Sequence, residues 1–124
     1  MSVKGLKIKI KSVKDADARK VVCTGVIDGH TSTYFERVLS DVIENSVTKI
    51  VLDFTDVTYL SSAGVGVLIS ANGKLNDEFP DKSRGILIMN PSESVRDVFH
   101  ILEIEDIFTF VNDEAEAEDA LKKL

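Results

Sequence analysis

Two adjacent hydroxyls, Ser61 and Ser62, stand where an apolar run gives way to a helix-patterned one, with Gly64 and Gly66 directly behind them. The first N–H groups of a helix lack partners, and the helix dipole places partial positive charge there. Such a terminus accommodates phosphate well. Gly64 and Gly66 remove side chains from the first turn, so another backbone or a nucleotide phosphate can approach closely. Each also lowers helix propensity by up to about 1 kcal/mol, which asks for a packing or functional reason. The same residues have a purely structural reading, since serine is a common N-cap and glycine near a helix start relieves crowding. A third chemistry, Ser62 as a nucleophile, needs a positioned base. The G-x-S-x-G pattern is absent, and His30 and His100 stand in no catalytic context. A Walker A loop is absent too: Gly66 and Gly73-Lys74 enclose six residues rather than four, with no Ser or Thr after the lysine.

The elements that must position this pair follow from periodicity. Ile50-Val51-Leu52-Asp53-Phe54 is short, apolar and β-branched, as expected of a strand buried on both faces. Thr55 to Tyr59 is expected to be a polar turn. Beyond Ser61-Ser62, residues Val65, Leu68, Ile69, Asn72, Leu75 and Phe79 share one helical face. The serines therefore lie at the carboxyl end of a strand, where open α/β sheets concentrate function.

Before this unit, Leu6 to Lys11 alternates lysine with apolar residues, a strand with one solvated face whose lysines discourage edge pairing. Lys14 to Arg19 is a hairpin connection, and Lys20 to Ile27 a second strand. Asp28-Gly29-His30-Thr31-Ser32 is a turn, with Thr31 or Ser32 capping a helix that buries Phe35, Val38, Leu39, Val42 and Ile43. After it, Asn76 to Gly85 forms a loop and Ile86 to Met89 a buried strand. Asn90-Pro91-Ser92-Glu93 predicts a helix start, with Asn90 as cap and Val95, Val98, Phe99 and Leu102 as the buried face. Ile107 to Val111 reads as a last strand. Asp113 and Glu116 form a capping box for a final helix along Ala117, Ala120, Leu121 and Leu124. The fold class is thus α/β: an N-terminal β-hairpin and then alternating β/α units, giving a mixed sheet of about five strands with about four helices.

Composition narrows the functional classes. At 124 residues the chain has the size of one domain, spanning 1–124. Its net charge of −6 and pI near 4.9 oppose non-specific binding to nucleic acid or anionic membranes. Cys23 is the only cysteine and lies in an apolar run, so it is expected to be a small buried hydrophobe. With only His30 and His100 for company, no metal site is expected. No run approaches the roughly 20 apolar residues that span a bilayer, and the N-terminus lacks a signal-peptide core. The expected location is the cytoplasm.

The run Val51-Leu52-Asp53-Phe54, then Val57-Thr58-Tyr59-Leu60-Ser61-Ser62-Ala63-Gly64-Val65-Gly66-Val67-Leu68, resembles the signature of STAS-domain proteins. Within them it is most similar to bacterial anti-sigma-factor antagonists. Gly25-Val26-Ile27-Asp28 followed by Thr31 is similar to the family's earlier Gly-x-aliphatic-Asp segment. Ser61 stands where many members have aspartate, and Ala63 where many have a second Ser or Thr. The resemblance implies the STAS fold over nearly the whole chain, with no cofactor and no enzymatic activity. It implies partner switching: the unphosphorylated protein binds an anti-sigma factor that is also a serine kinase of the histidine-kinase-like ATPase type, and the sigma factor is released. Phosphorylation at the position matching Ser62 turns the antagonist off, and a PPM-type serine phosphatase restores it. The implied partner surface comprises Asp28, Ser61, Ser62, Ala63, Gly64, Val65 and Gly66. A second implied role is a STAS scaffold, or a regulatory subunit of a larger signalling complex or transport system, working without phosphorylation.

Overall fold

A computed structural model describes residues 2–124. Six strands form one mixed sheet in the order β1-β2-β3-β4-β5-β6. β1 (Ser2–Val3), β2 (Leu6–Ser12) and β3 (Ala18–Ile27) form an antiparallel meander. β4 (Lys49–Leu60), β5 (Gly85–Met89) and β6 (Thr109–Val111) then add in parallel, joined through α1 (Ser32–Glu44), α2 (Ser62–Glu78) and α3 (Glu93–Ile101). α4 (Glu114–Lys122) closes the described chain. The expected hairpin and β/α alternation are present, with the two-residue β1 as an extra strand.

Crossovers between parallel strands are right-handed, so successive connections in one direction place α1, α2 and α3 on the same sheet face. The core reflects this. Phe35, Leu39 and Ile43 of α1, Val65, Leu68 and Leu75 of α2, and Val95 and Phe99 of α3 share a cluster with Ile8, Cys23, Ile50, Leu52, Phe54 and Ile88. A second cluster on the opposite face packs Ala117 and Leu121 of α4 against Val51, Leu87, Met89 and Val111. β4 is thus covered on both sides, as its unbroken apolar run requires. Cys23 is fully buried, and its desolvated thiol is pushed up to about 12, out of reach of redox or nucleophilic chemistry at neutral pH.

Several local expectations are corrected. Thr55 to Tyr59 is not a turn; β4 runs on to Leu60, staying beside β3 through register shifts between Val22 and Thr24 and between Gly25 and Val26. Val57 and Leu60 carry the buried side of this polar extension, so a bulged strand reads locally as a turn. In α2, Ile69 is 42% exposed, while Val67 and Ala71 are buried. The face is rotated because α1 packs beside α2 as well as the sheet beneath it. α3 starts two residues later than predicted: Ser92 is its cap, accepting from Val95 N–H at 3.2 Å, and Asn90 takes a left-handed φ of 51° in the turn. Leu102 lies past the end of α3 and is 42% exposed. Only Thr109–Val111 of the last predicted strand pairs, because Glu105–Ile107 closes a single 3₁₀ turn. The α4 cap is as predicted in Asp113, whose carboxylate accepts from Glu116 N–H at 2.9 Å; the Glu116 carboxylate reaches Asn112 N–H.

One close approach ties the β1–β2 turn to the end of β3. The Gly5 carbonyl accepts from Val26 N–H at 2.8 Å, and a Cβ on Gly25 would stand 2.2 Å from that oxygen. Gly25 also has φ of 118°. Gly73, inside α2, has open space around it. Gly25→Ala is therefore expected to cost about 2–4 kcal/mol, from left-handed strain and the lost approach. Gly73→Ala should stabilise by up to about 1 kcal/mol. Urea unfolding of both variants checks the pair.

Candidate functional site

The carboxyl ends of β3 and β4 meet at Ile27 and Leu60, which are register partners. The chain leaves each strand there: Asp28 opens the loop to α1, and Ser61 opens α2. Ser61 N–H donates to Ile27 O at 2.8 Å, so the two exits are stitched by a backbone hydrogen bond. This brings Asp28 and the serine pair to one edge of the sheet, as the sequence suggested.

At α2 the two hydroxyls have different positions. Ser61 is the N-cap, extended at φ −89° and ψ 169°, and its Oγ accepts from Gly64 N–H at 3.3 Å. That occupies its side chain in the structural role. Ser62 is the first helical residue and is exposed; among the described residues its hydroxyl has no hydrogen-bond partner. It therefore projects from the positive end of a 17-residue helix with nothing to hold it.

The two glycines also separate. A Cβ on Gly64 would lie 2.6 Å from Ile27 Cγ2 and 2.7 Å from Leu60 Cδ1, both in buried side chains. Gly64 is thus the point where the first turn of α2 rests on the strand ends. Gly66 has nothing within 4 Å of its added Cβ and is exposed. Ser62, Ala63, Gly66, Ile69 and Ser70 together form a smooth exposed strip along α2. Val65 is buried, so Gly64 and Val65 shape this surface from beneath rather than lie on it.

The Asp28 loop is knotted by its own side chains. The Asp28 carboxylate accepts from His30 N–H at 2.9 Å and Thr31 N–H at 3.0 Å. Thr31 Oγ1 accepts from Asp28 N–H and donates to Val26 O, both at 2.9 Å. Thr31 sits at the N-cap position of α1 but makes no side-chain cap bond; Ser32 N–H, the first of the helix, instead donates to the Asp28 backbone carbonyl at 2.8 Å. The hydrogen bond from Thr31 N–H, reinforced by that from His30, holds the Asp28 carboxyl below its ordinary range. Asp28 thus remains charged through the neutral range, beside the exit of Ser61. His30 shares this loop, while His100 lies at the other end of α3, paired with Glu105 at 2.9 Å. Periodicity missed the exposure of Ile69, which lies on the strip, and of Tyr59, which is 55% exposed near the end of β4. The only signal for them was a large apolar side chain within two or three residues of a glycine or serine.

Residues 7–117 match the sequence model of the family described as the STAS domain. The chain belongs to the STAS-domain family. Among solved structures, this STAS domain is similar to an anti-sigma factor antagonist from Mycobacterium paratuberculosis. They share 20% identity over 98% of this chain and 97% of that one, with a TM-score of 0.82. The unphosphorylated form of the anti-sigma factor antagonist SpoIIAA superposes with a TM-score of 0.77, at 22% identity over 95% of this chain and 98% of the other. The Bacillus cell-fate determinant SpoIIAA in its phosphorylated form gives 0.69, at 21% identity over 93% and 99%. At these identities the likeness is one of fold.

The geometry of the STAS domain separates two roles for glycine. Gly64→Ala should cost about 1–3 kcal/mol, because a methyl must push into the packed Ile27–Leu60 contact. Gly66→Ala should be neutral or stabilising by up to about 1 kcal/mol. Thermal unfolding of the two variants checks this; a Gly66→Ala as damaging as Gly64→Ala would contradict it.

Proposed function

We propose that this STAS domain is an anti-sigma-factor antagonist that works by partner switching, with Ser62 as its phosphorylated switch. The observation that carries the reading is the division of labour between the serines. Ser61 caps the helix, which leaves Ser62 exposed, unpartnered and first in the helix. Asp28, Ser61, Ser62, Ala63 and Gly66 make the partner surface, with Gly64 and Val65 setting its shape. The partner is an anti-sigma factor of the histidine-kinase-like ATPase type that is also a serine kinase. Binding it releases the sigma factor. A PPM-type serine phosphatase resets the switch. The domain acts as a binding module in the cytoplasm, not as an enzyme, and its 124 residues act as one unit.

The electrostatics support this assignment. A phosphoserine adds about −1.5 to −2 charge at neutral pH. On Ser62 it would face the free N–H groups of α2, so the fold tolerates it. The same charge would sit beside the Asp28 carboxylate, which the loop keeps ionised, on a chain already at −6. A partner that fits the neutral strip must then desolvate two adjacent anions, which costs several kcal/mol when no cation answers them. Gly66 fits the same picture: its own fold gives it no reason to lack a side chain, whereas a close-docking backbone does.

Two results are expected. Incubation with the cognate kinase and ATP followed by phosphopeptide mapping should place phosphate on Ser62; phosphate confined to Ser61 would contradict the assignment. In titration against the anti-sigma partner, Ser62→Ala should bind, while Ser62→Asp and Gly66→Ala should bind more weakly. All three should change stability by no more than about 1 kcal/mol. Tight binding by Ser62→Asp with loss in Ser62→Ala would instead make the hydroxyl a direct contact.

A further inference from the structure

The sheet face away from α1–α3 is only half covered. α4 packs over β5 and β6, and the β2–β3 half stays open. Leu6 and Ile8 turn their side chains to the helix side, so Lys7, Lys9 and Lys11 project from the open face, all exposed. Alternate residues of a strand stand about 6.6–6.8 Å apart, so the three ammonium groups form a row. Among the described residues none of the three has an ion pair, whereas Lys49, Lys74 and Lys123 each have one and Lys20 has two. Lys11 also stands directly opposite Lys20 in the antiparallel pair, an arrangement that destabilises a sheet. Seven of the 15 basic residues, but two of the 21 acidic ones, fall in the first twenty positions. A concentrated basic face therefore sits on a protein whose net charge is −6.

Lysines near a sheet edge guard against unwanted pairing, which accounts for charge at these positions. It does not account for what lies beside them. Between the row and α4 runs a cleft of 350 Å³. Its floor is Val51, Ala117 and Leu121, and Lys11, Lys14 and Lys20 line its lip. Glu114 and Glu118 form the opposite wall, with Glu114 already paired to Lys20. Cation row and apolar floor are contiguous through Lys11.

We propose that this open face docks an acidic, extended segment of a partner protein. Carboxylates at alternate positions of the segment meet Lys7, Lys9 and Lys11, and one aliphatic side chain enters the cleft. The acidic wall of α4 disfavours a nucleic acid, whose phosphates would run into Glu114 and Glu118. A bilayer would meet the same wall and could not fill a recessed floor. Ser62 belongs to the helix-bearing face, so this dock and the switch can be occupied together, and the inference stands independently of the switch.

The test is an NMR titration with a short synthetic peptide of alternating glutamate and leucine, in parallel with oligoglutamate, a short DNA duplex and phosphatidylserine vesicles. Saturable shifts are expected at residues 7–11 and 117–121. Lys7→Glu/Lys9→Glu/Lys11→Glu, confirmed folded by circular dichroism, should weaken binding by at least about tenfold, since like charges then face each other. Ser62→Asp should bind the peptide as wild type does. Absence of saturable shifts, or an unaffected triple variant, would overturn the proposal. Oligoglutamate, DNA or vesicles binding as tightly as the peptide would overturn it equally, because the cleft would then play no part.

Discussion

The contact on which the site depends is the seating of α2 on the ends of β3 and β4. Ser61 N–H bonds to Ile27 O, and Gly64 lets the first helical turn settle onto Ile27 and Leu60 without an intervening methyl. A helix that starts there must place the first and fifth residues after its cap outward, so the directions of Ser62 and Gly66 follow from packing beneath them. The same junction fixes where the Asp28 loop emerges, because Asp28 follows Ile27 directly. One exposed surface is thereby assembled from two sequence-distant loops, joined through the backbone. Protein interiors are close-packed and resist small changes in volume, so this placement is held firmly.

The hidden junction and the exposed strip make different demands on the same short stretch. Gly64 answers to the core, whereas Gly66 is exposed with open space around it. Asp28 is locked by Thr31 and His30 amides, so its charge is fixed in place rather than mobile. A charge added at Ser62 would therefore act on binding far more than on folding. The helix dipole offsets it internally, while no cation on the strip offsets it for a partner. On the opposite face the distribution is reversed, with lysines on β2 that have no ion pair among the described residues and acids on α4, of which Glu114 pairs with Lys20 of β3. One small domain thus carries two surfaces of unlike chemistry.

Much of this was legible in the sequence. Period-2 lysines marked β2, helical spacing of Phe35, Val38, Leu39, Val42 and Ile43 marked α1, and Asp113 with Glu116 marked the start of α4. The position of the serines and glycines at a strand-to-helix junction was legible too. What was not legible depends on tertiary context. The extension of β4 through Thr55 to Leu60 is polar on its exposed side, and only its continued pairing with β3 across a bulge makes it strand. The exposed side of α2 was misassigned at Ile69 because periodicity locates an apolar stripe but cannot say that α1 packs against its flank. The α3 start moved to Ser92 because Asn90 was taken up by the turn, in a left-handed conformation that asparagine tolerates. Which serine caps and which projects was likewise undecided until the helix register was known.

The central claim is that a single covalent change at Ser62 turns the partner surface off without disturbing the fold. Calorimetric titration of the wild-type protein against its anti-sigma kinase tests it most directly. The same preparation is measured unmodified, after enzymatic phosphorylation, and again after phosphatase treatment, with a thermal melt at each stage. The account predicts tight binding, then a loss of at least about tenfold, then recovery, with an unfolding temperature that hardly moves. Equal affinity in all three states, or a loss of binding accompanied by collapse of the melt, would contradict it.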